Sequence, residues 1–203
     1  MKAKQGPFRN KKNIILASRS PRRQRLLTSL GIYFEVTPSR IKEEKEAPSP
    51  EEMVLTNARK KVMDVHKGVK GVILGADTCV VLEDSILGKP RDHEEALCML
   101  KSLRGRWHQV FTGCFLLDNT RSPFQEKNFV VQSRVFISPL PEEVIEAYIA
   151  TSDPFDKAGS YGIQGIGSFL VKEIQGSYTN VVGLPLTEVV EALIDMEAIY
   201  AAR

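Results

Sequence analysis

No apolar run in this 203-residue chain approaches the roughly 20 residues that a membrane-spanning helix needs, which excludes a helical span. Cysteine is scarce: Cys79, Cys98 and Cys114 lie far apart without C-x-x-C spacing, and three scattered histidines do not complete a zinc pattern. The cysteines read as reduced, buried small hydrophobes. Met1 to Asn13 is basic and polar and lacks the apolar stretch of roughly 7–15 residues of a secretory signal. Residues 1–12 are therefore expected to form a flexible basic tail, residues 13–203 a single domain, and the protein to be cytoplasmic. Neither G-x-x-x-x-G-K-[ST] nor G-x-G-x-x-G occurs at the glycine-rich segment, so Walker-type and dinucleotide-type phosphate loops are unsupported. Internal repeats, low-complexity blocks and linkers are absent too.

The 42% hydrophobic and 26% charged fractions are those of an ordinary globular protein long enough to bury a substantial core. A net charge of +3 is weak support for nucleic-acid binding and suits equally a site for a polyanionic small molecule. Where the charges cluster matters more than their total.

Asn13-Ile14-Ile15-Leu16-Ala17 reads as a short buried strand. Ser20-Pro21 then starts a helix, with Ser as N-cap and Pro at the first helical position, and Leu26, Leu27 and Leu30 on its apolar face. Gly31 ends the helix and Tyr33 to Val36 begins a second strand. After a polar loop carrying Glu43, Glu44 and Glu46, Ser49-Pro50-Glu51-Glu52 starts a helix with Val54, Ala58, Val62 and Val65 as its buried stripe. Lys60, Lys61 and Lys67 lie off that stripe. Val72-Ile73-Leu74 is the strand that delivers Asp77, and the chain turns at Glu83-Asp84-Ser85 to return toward Lys89. Asp92 to Leu103 is an amphipathic helix, Arg106–Leu117 and Lys127–Ile137 a hairpin, and Pro141 to Ala150 another helix. Ser152 to Gly167 fits neither period and is long enough for a functional loop. Phe169-Leu170-Val171 with Ile174 suggests a strand, and Leu186 to Leu193 a final helix.

Several groups can carry chemistry. Ser18-Arg19-Ser20-Pro21-Arg22-Arg23 places hydroxyls, free N–H groups and two guanidiniums at a helix N-terminus, where cations oppose the helix dipole and a phosphate would reverse the conflict. The plain alternative is a solvated helix start. Asp77 and Glu43 come from different elements and suit a hard cation, which takes one or two carboxylates plus substrate oxygens. Asp77 can equally be a strand-end capping carboxylate, and Glu43 one charge of an acidic loop. Lys61, Lys89 and Lys157 sit beside small or turn residues, and each has the alternative of a solvated lysine. In the loop that follows, Tyr161 can stack on a ring and Gln164 can pair with the amide-like edge of a base.

Taken together, these residues resemble the Maf family of nucleoside triphosphate pyrophosphatases from Ile15 to Val190. The resemblance rests on the order and spacing of Ala17-Ser18-Arg19-Ser20-Pro21-Arg22-Arg23, Gly75-Ala76-Asp77-Thr78, Leu87-Gly88-Lys89-Pro90, Glu95-Ala96 with Met99-Leu100, His108 with Thr112-Gly113, and Asp156-Lys157-Ala158-Gly159 through Gln164-Gly165. It implies an α/β, inosine-triphosphatase-like fold with an elongated mixed sheet flanked by helices and two lobes around a central cleft. It implies further a homodimer, a divalent cation (Mg²⁺ or Mn²⁺), and hydrolysis of a nucleoside triphosphate to the monophosphate and diphosphate. Asp77 matches the family's general base or metal-and-water carboxylate. Ser18, Arg22, Arg23, Glu43, Lys61, Lys89, Asp156, Lys157 and Gln164 match positions lining the site. Tyr161-Gly162-Ile163-Gln164-Gly165 followed by Gly176-Ser177-Tyr178 looks like the branch acting on dTTP and UTP, in which Arg22, Thr78 and Gln164 match specificity positions.

Three departures stand out: Lys42 before Glu43, Asn57 in place of an apolar residue in the Lys61 helix, and Arg104 before Gly105. Glu44 rivals Glu43 as the site carboxylate. The expected chemistry has the cation held by Asp77 and Glu43, water oriented or deprotonated by Asp77, and phosphate charge neutralised by Arg22, Arg23, Lys61, Lys89 and Lys157. A nucleic-acid-binding regulatory module using the same basic groups is the alternative, kept open by the family's link to arrest of cell division, and a phosphatase releasing orthophosphate is the third reading. No membrane and no stable nucleic-acid partner are expected for the enzyme.

Overall fold

The structure, a computed structural model, describes residues 6–202. Strand β1 (Phe8–Asn10) pairs antiparallel with the last strand, β9 (Ile199–Ala201), with Arg9 opposite Tyr200. This corrects the expected basic tail over 1–12: its residues 1–5 lie outside the described residues, but 8–10 form sheet. Just beyond β1, the Lys12 ammonium donates to Asp118 Oδ2 at 2.7 Å and to the Met196 carbonyl at 2.6 Å.

Strand β2 (Ile14–Leu16) is fully buried and feeds helix α1 (Pro21–Ser29), whose N-cap Ser20 accepts from the Arg23 N–H as the Ser-Pro pair predicts. Gly31 follows at φ +74°, the left-handed turn that ends the helix. Strand β3 is only Glu35–Val36, paired in parallel with β2. Helix α2 (Pro50–Val65) begins at N-cap Ser49 and buries Met53, Val54, Ala58, Val62 and Val65 as an apolar stripe.

Strand β4 (Val72–Leu82) is one continuous buried strand, so Asp77 stands in its interior and not at its end. It pairs in parallel with β2 through Val72–Leu74 and antiparallel with β5 (Ser85–Leu87) through Val80–Leu82. Asp77 falls between those two ladders. Helix α3 (His93–Leu103) starts at N-cap Asp92. Strands β6 (Trp107–Asp118) and β7 (Gln125–Ile137) follow as the expected long pair, then helix α4 (Glu142–Ile149). Phe169–Leu170 belong to a 3-10 segment over Gly165–Leu170, and the strand expected there begins later, as β8 (Val171–Gln175), antiparallel to β7. Helices α5 (Tyr178–Val182) and α6 (Leu186–Asp195) complete the chain before β9. The main sheet runs β3-β2-β4-β6-β7-β8, with β5 on β4, a mixed sheet with flanking helices as expected.

The chain divides into two compact units. The first comprises residues 1–77, 112–130 and 183–203, and the second residues 78–111 and 131–182. In the first, Leu16, Leu27, Leu74, Leu116 and Leu193 centre one core cluster, and Ile15, Ala58, Val62, Ile73 and Phe115 another. In the second, Leu100, Leu103, Val110, Ile145, Tyr148 and Tyr161 share a core. Among the described residues no helix is long and apolar enough to cross a membrane.

Candidate active site

In the first unit, α2 lies directly on the sheet because two strand positions carry no side chain. A Cβ on Gly75 would come within 2.4 Å of the Ala58 carbonyl oxygen, and one on Gly113 within 2.7 Å of the Leu55 nitrogen. Asp77, two residues beyond Gly75 on β4, points to the same face of the strand, toward α2. There the Lys61 ammonium donates to Asp77 Oδ1 at 2.6 Å and to the Ala76 carbonyl at 3.1 Å, and pairs with Glu43 Oε1 at 2.7 Å. Asp77 Oδ2 accepts from Asn57 Nδ2 at 2.9 Å. Lys61 and Asp77 are buried while the Glu43 side chain is half exposed. A strand carboxylate and a loop carboxylate thus converge on one buried cation.

Glu43 and Glu44 take different partners. Glu43 reaches Lys61; Glu44 pairs with Lys60 on the exposed side of α2, and its backbone is bonded to Asn57. Asn57, one of the three departures from the family pattern, touches both the carboxylate on β4 and the acidic loop. The spacing Asn57, Lys61, Asp64, a polar i, i+4, i+7 row beside the apolar stripe, was the available signal.

Arg23 is buried in the same unit. Its Nε donates to the Gly183 carbonyl at 2.7 Å and its Nη1 to Ser18 Oγ at 3.1 Å. Burial lowers the proton affinity of this guanidinium, opposed by the negative charges of Asp77 and Glu43. The same burial pushes the Cys114 thiol up to about 12, against the pull of Arg23, so Cys114 is an uncharged hydrophobe and not a nucleophile. Arg22 is half-buried in the first turn of α1, a turn that contains no acidic residue of its own.

In the second unit, Lys157 Nζ pairs with Asp156 Oδ1 at 2.6 Å and with Asp153 Oδ1 at 3.0 Å, so Asp156 and Lys157 are brought together. Tyr148 Oη donates to Asp153 Oδ2 at 2.7 Å and accepts from the Gly162 N–H at 3.2 Å. Lys89 is exposed just past β5; the neighbouring Gly88 carbonyl accepts from the Gly159 N–H at 3.0 Å, which ties the end of that hairpin to the Lys157 loop. Thr78 and Gln164 are half-buried.

The expectation that Tyr161 stacks on a substrate ring fails. Tyr161 is 6% exposed, packs edge-on against His108 and shares a 2.7 Å hydrogen bond with its Nε2. It is an anchor for the loop. Burial holds His108 neutral, its pKa depressed to about 4, and raises the Tyr161 phenol.

Two carboxylates without a third protein ligand fit Mg²⁺ or Mn²⁺ completed by substrate oxygens, and do not fit a cage made wholly of protein. No group of three or more His, Cys, Asp or Glu side chains is arranged to hold a metal among the described residues. Asp77 and Glu43 are the pair whose chemistry suits such an ion.

A family model described as Maf-like protein matches residues 13–196. A dTTP/UTP pyrophosphatase of Carboxydothermus hydrogenoformans is 48% identical over 181 residues, covering 89% of this chain and 96% of that protein. A dTTP/UTP pyrophosphatase of Geotalea uraniireducens is 49% identical over 191 residues, covering 93% and 97%. Among solved structures, the Staphylococcus aureus Ham1 protein aligns with a TM-score of 0.53 at 12% identity, covering 91% of this chain and 99% of that one; at that identity the likeness bears on fold alone.

Proposed function

This chain belongs to the Maf-like protein family, and from that premise we propose that it is a nucleotide pyrophosphatase that hydrolyses dTTP and UTP to the nucleoside monophosphate and diphosphate. The observation that carries the reading is the sharing of Lys61 by Asp77 and Glu43, with Asn57 on the second oxygen of Asp77. Phosphoryl chemistry needs little covalent help and much charge placement. Asp77 orients the attacking water and takes its proton as the anhydride between the α- and β-phosphates opens. Lys61 balances the charge of the carboxylates. Ser18, Arg22 and Arg23, at the start of α1, receive phosphate oxygens, where helix N–H groups and guanidiniums favour an anion. Mg²⁺ or Mn²⁺ held by Asp77 and Glu43 supplies Lewis-acid neutralisation of phosphate oxygens when bound.

In the second unit, Lys89 and Lys157 serve as counter-charges for phosphate, with Asp156 holding Lys157. Thr78 and Gln164 read the pyrimidine; an amide offers uracil or thymine both a donor and an acceptor. The family resemblance also supports a homodimer in the cytoplasm, and light scattering on the purified protein checks the first of these.

The nucleic-acid-binding alternative is not favoured, because Lys61 and Lys157 are each engaged by two carboxylates, which opposes the unpaired cationic surface that a polynucleotide selects. The deciding experiment is a panel of nucleoside triphosphates with Mg²⁺ and with Mn²⁺, scoring diphosphate against orthophosphate. dTTP and UTP are expected to lead, with diphosphate released. A preference for purines overturns the base assignment, orthophosphate makes the protein a phosphatase, and inertness toward every triphosphate overturns the enzyme. Tight, steeply salt-dependent binding of mixed oligonucleotides would favour the binding module instead.

A further inference from the structure

Helix α2 carries a second stripe opposite in character to its buried one. Asn57, Lys60, Lys61 and Asp64 recur at i, i+3, i+4 and i+7, and each is bonded to the loop over residues 40–44. Asp64 Oδ2 accepts from the Arg40 N–H at 2.9 Å, Lys60 pairs with Glu44, and Lys61 pairs with Glu43. Asn57 makes the tightest attachment. Its Oδ1 accepts from the Glu44 N–H at 2.8 Å, and its Nδ2 donates both to the Glu44 carbonyl at 2.9 Å and to Asp77 Oδ2 at 2.9 Å.

That pattern fixes the amide. Turned over, Oδ1 would face the Asp77 carboxylate and the Glu44 carbonyl, three acceptors with no proton between them, and the Glu44 N–H would face a donor. In the observed orientation both amide protons and the carbonyl are used, and the side chain is 1% exposed. The loop it grips belongs to neither helix nor strand, so the Glu43 carboxylate owes its place to side-chain bonds from α2.

We propose that Asn57 is a positioning residue for the reaction: it locks the acidic loop so that Glu43 meets Lys61, and by holding Asp77 Oδ2 it fixes the carboxylate so that Oδ1, which accepts from Lys61, faces the shared charge cluster where the reaction takes place. Its role in turnover rests on the pyrophosphatase reading; its role as loop clamp does not. An apolar residue at 57 would strip the Glu44 peptide and Asp77 Oδ2 of their partners at once while filling the helix face equally well.

The test uses Asn57→Leu and the isosteric Asn57→Asp, the latter keeping the acceptor for Glu44 N–H and losing both donated bonds. Three readouts are taken on the full chain: amide hydrogen exchange over residues 40–46, Mn²⁺ affinity by paramagnetic resonance, and kcat and KM for dTTP. Faster exchange across the loop is expected in both variants, larger in Asn57→Leu. Mn²⁺ affinity and kcat should fall by about 10-fold or more, in the range typical of residues that orient metal-binding side chains. At saturating Mn²⁺, KM for dTTP should stay within about twofold, since the bonds of Asn57 go to Glu44 and Asp77 and not to the side chains proposed to receive phosphate or base, and a residue that merely supports the fold would not split kcat from KM. Unchanged loop exchange overturns the proposal whether or not any triphosphate is hydrolysed. Unchanged kcat and Mn²⁺ affinity in folded variants overturns the positioning role. Loss of the fold in both variants also overturns it, because Asn57 would then belong to the core. Loosened exchange in a protein inert to all triphosphates leaves the clamp standing and assigns the failure to the pyrophosphatase reading.

Discussion

Lys61 and Lys157 each hold two carboxylates, but the two clusters are assembled in opposite ways. Lys61 on α2 takes Glu43 from a loop and Asp77 from a strand, so every member arrives on a different element. Lys157 takes Asp153 and Asp156 from its own turn, at i−4 and i−1. The first exists only when the first unit is folded. The second is largely a property of one short segment; each cluster has one shielded acid, Asp77 or Asp153, and one exposed acid, Glu43 or Asp156. The two ammoniums are almost equally buried, 8% and 11% exposed, so the difference lies in assembly: a cluster gathered from three elements is fragile, whereas one built within a single turn forms wherever that turn does.

The largest break in this comparison is Asp77→Asn. It keeps the shape of the side chain and removes the charge that meets Lys61, and as the proposed proton acceptor its loss should reduce kcat for dTTP by about 10²–10⁴-fold. Steady-state kinetics with Mg²⁺ in excess is the measurement; near-normal turnover would remove Asp77 from the chemistry.

Next in size is Lys61→Met, which leaves the buried Asp77 and half-exposed Glu43 without their shared cation. Removing one partner of a buried pair costs about 3–5 kcal/mol, and the exposure of Glu43 places the expected loss near the lower end. Urea unfolding measures it. Mn²⁺ should recover more stability in this variant than in the parent, because two carboxylates are then free to bind an ion that the unfolded chain does not bind.

How much of this was legible follows from how local each signal is. The helix starts at Ser20-Pro21, Ser49-Pro50 and Asp92 were readable because a cap is a matter of four or five neighbouring residues. Pairing β1 with β9 was not, since each strand has three residues and they lie at opposite ends of the chain. β4 read as ending at Asp77 because Gly75 and Asp77 interrupt the apolar run. In the fold Gly75 admits α2 and Asp77 faces its polar stripe, so the interruption is the site itself. Phe169, expected in a strand, lies in a 3-10 segment that begins at Gly165. For the site, residue types and order pointed to Asp77, Glu43 and Lys61, while Asn57 was missed because an amide gains its meaning only from the partners that tertiary structure supplies.

The Lys157 loop is secured by buried aromatic anchors more than by its ion pairs, and pH can separate the two. His108 titrates near pH 4 in the folded protein against 6.5 in an unfolded chain, because burial disfavours its charged form. The unfolded state therefore binds a proton first as pH falls, so the stability contributed by neutral His108 is complete above pH 6.5 and is lost progressively down to about pH 4. The loss amounts to about 3 kcal/mol at the acid end. His108→Gln retains a partner for the Tyr161 hydroxyl without a group that titrates there. Its stability should fall less steeply between those two pH values, and an unchanged slope in urea unfolding would show that another group carries the acid dependence.

The smallest effect on stability belongs to Lys157→Met. Asp153 keeps its 2.7 Å bond from Tyr148, whose oxygen still accepts the Gly162 N–H, and Tyr161 keeps His108, so the loop retains its hold on the core without the ammonium. Lys157 is itself nearly buried, but Asp156 is largely solvated and Asp153 keeps its bond from Tyr148, so the expected loss is about 1 kcal/mol, below that at Lys61→Met. Activity should respond differently: if Lys157 meets phosphate, KM for dTTP should rise about tenfold, the weight of one charge-assisted hydrogen bond of about 1.5 kcal/mol. A KM effect with a small stability effect here, beside a larger stability effect at Lys61→Met, would establish that the second cluster keeps its cation for the substrate while the first uses its cation to keep two carboxylates together. A stability loss at Lys157→Met equal to that at Lys61→Met would erase the distinction, because the local pairs would then carry as much of the fold as the assembled ones.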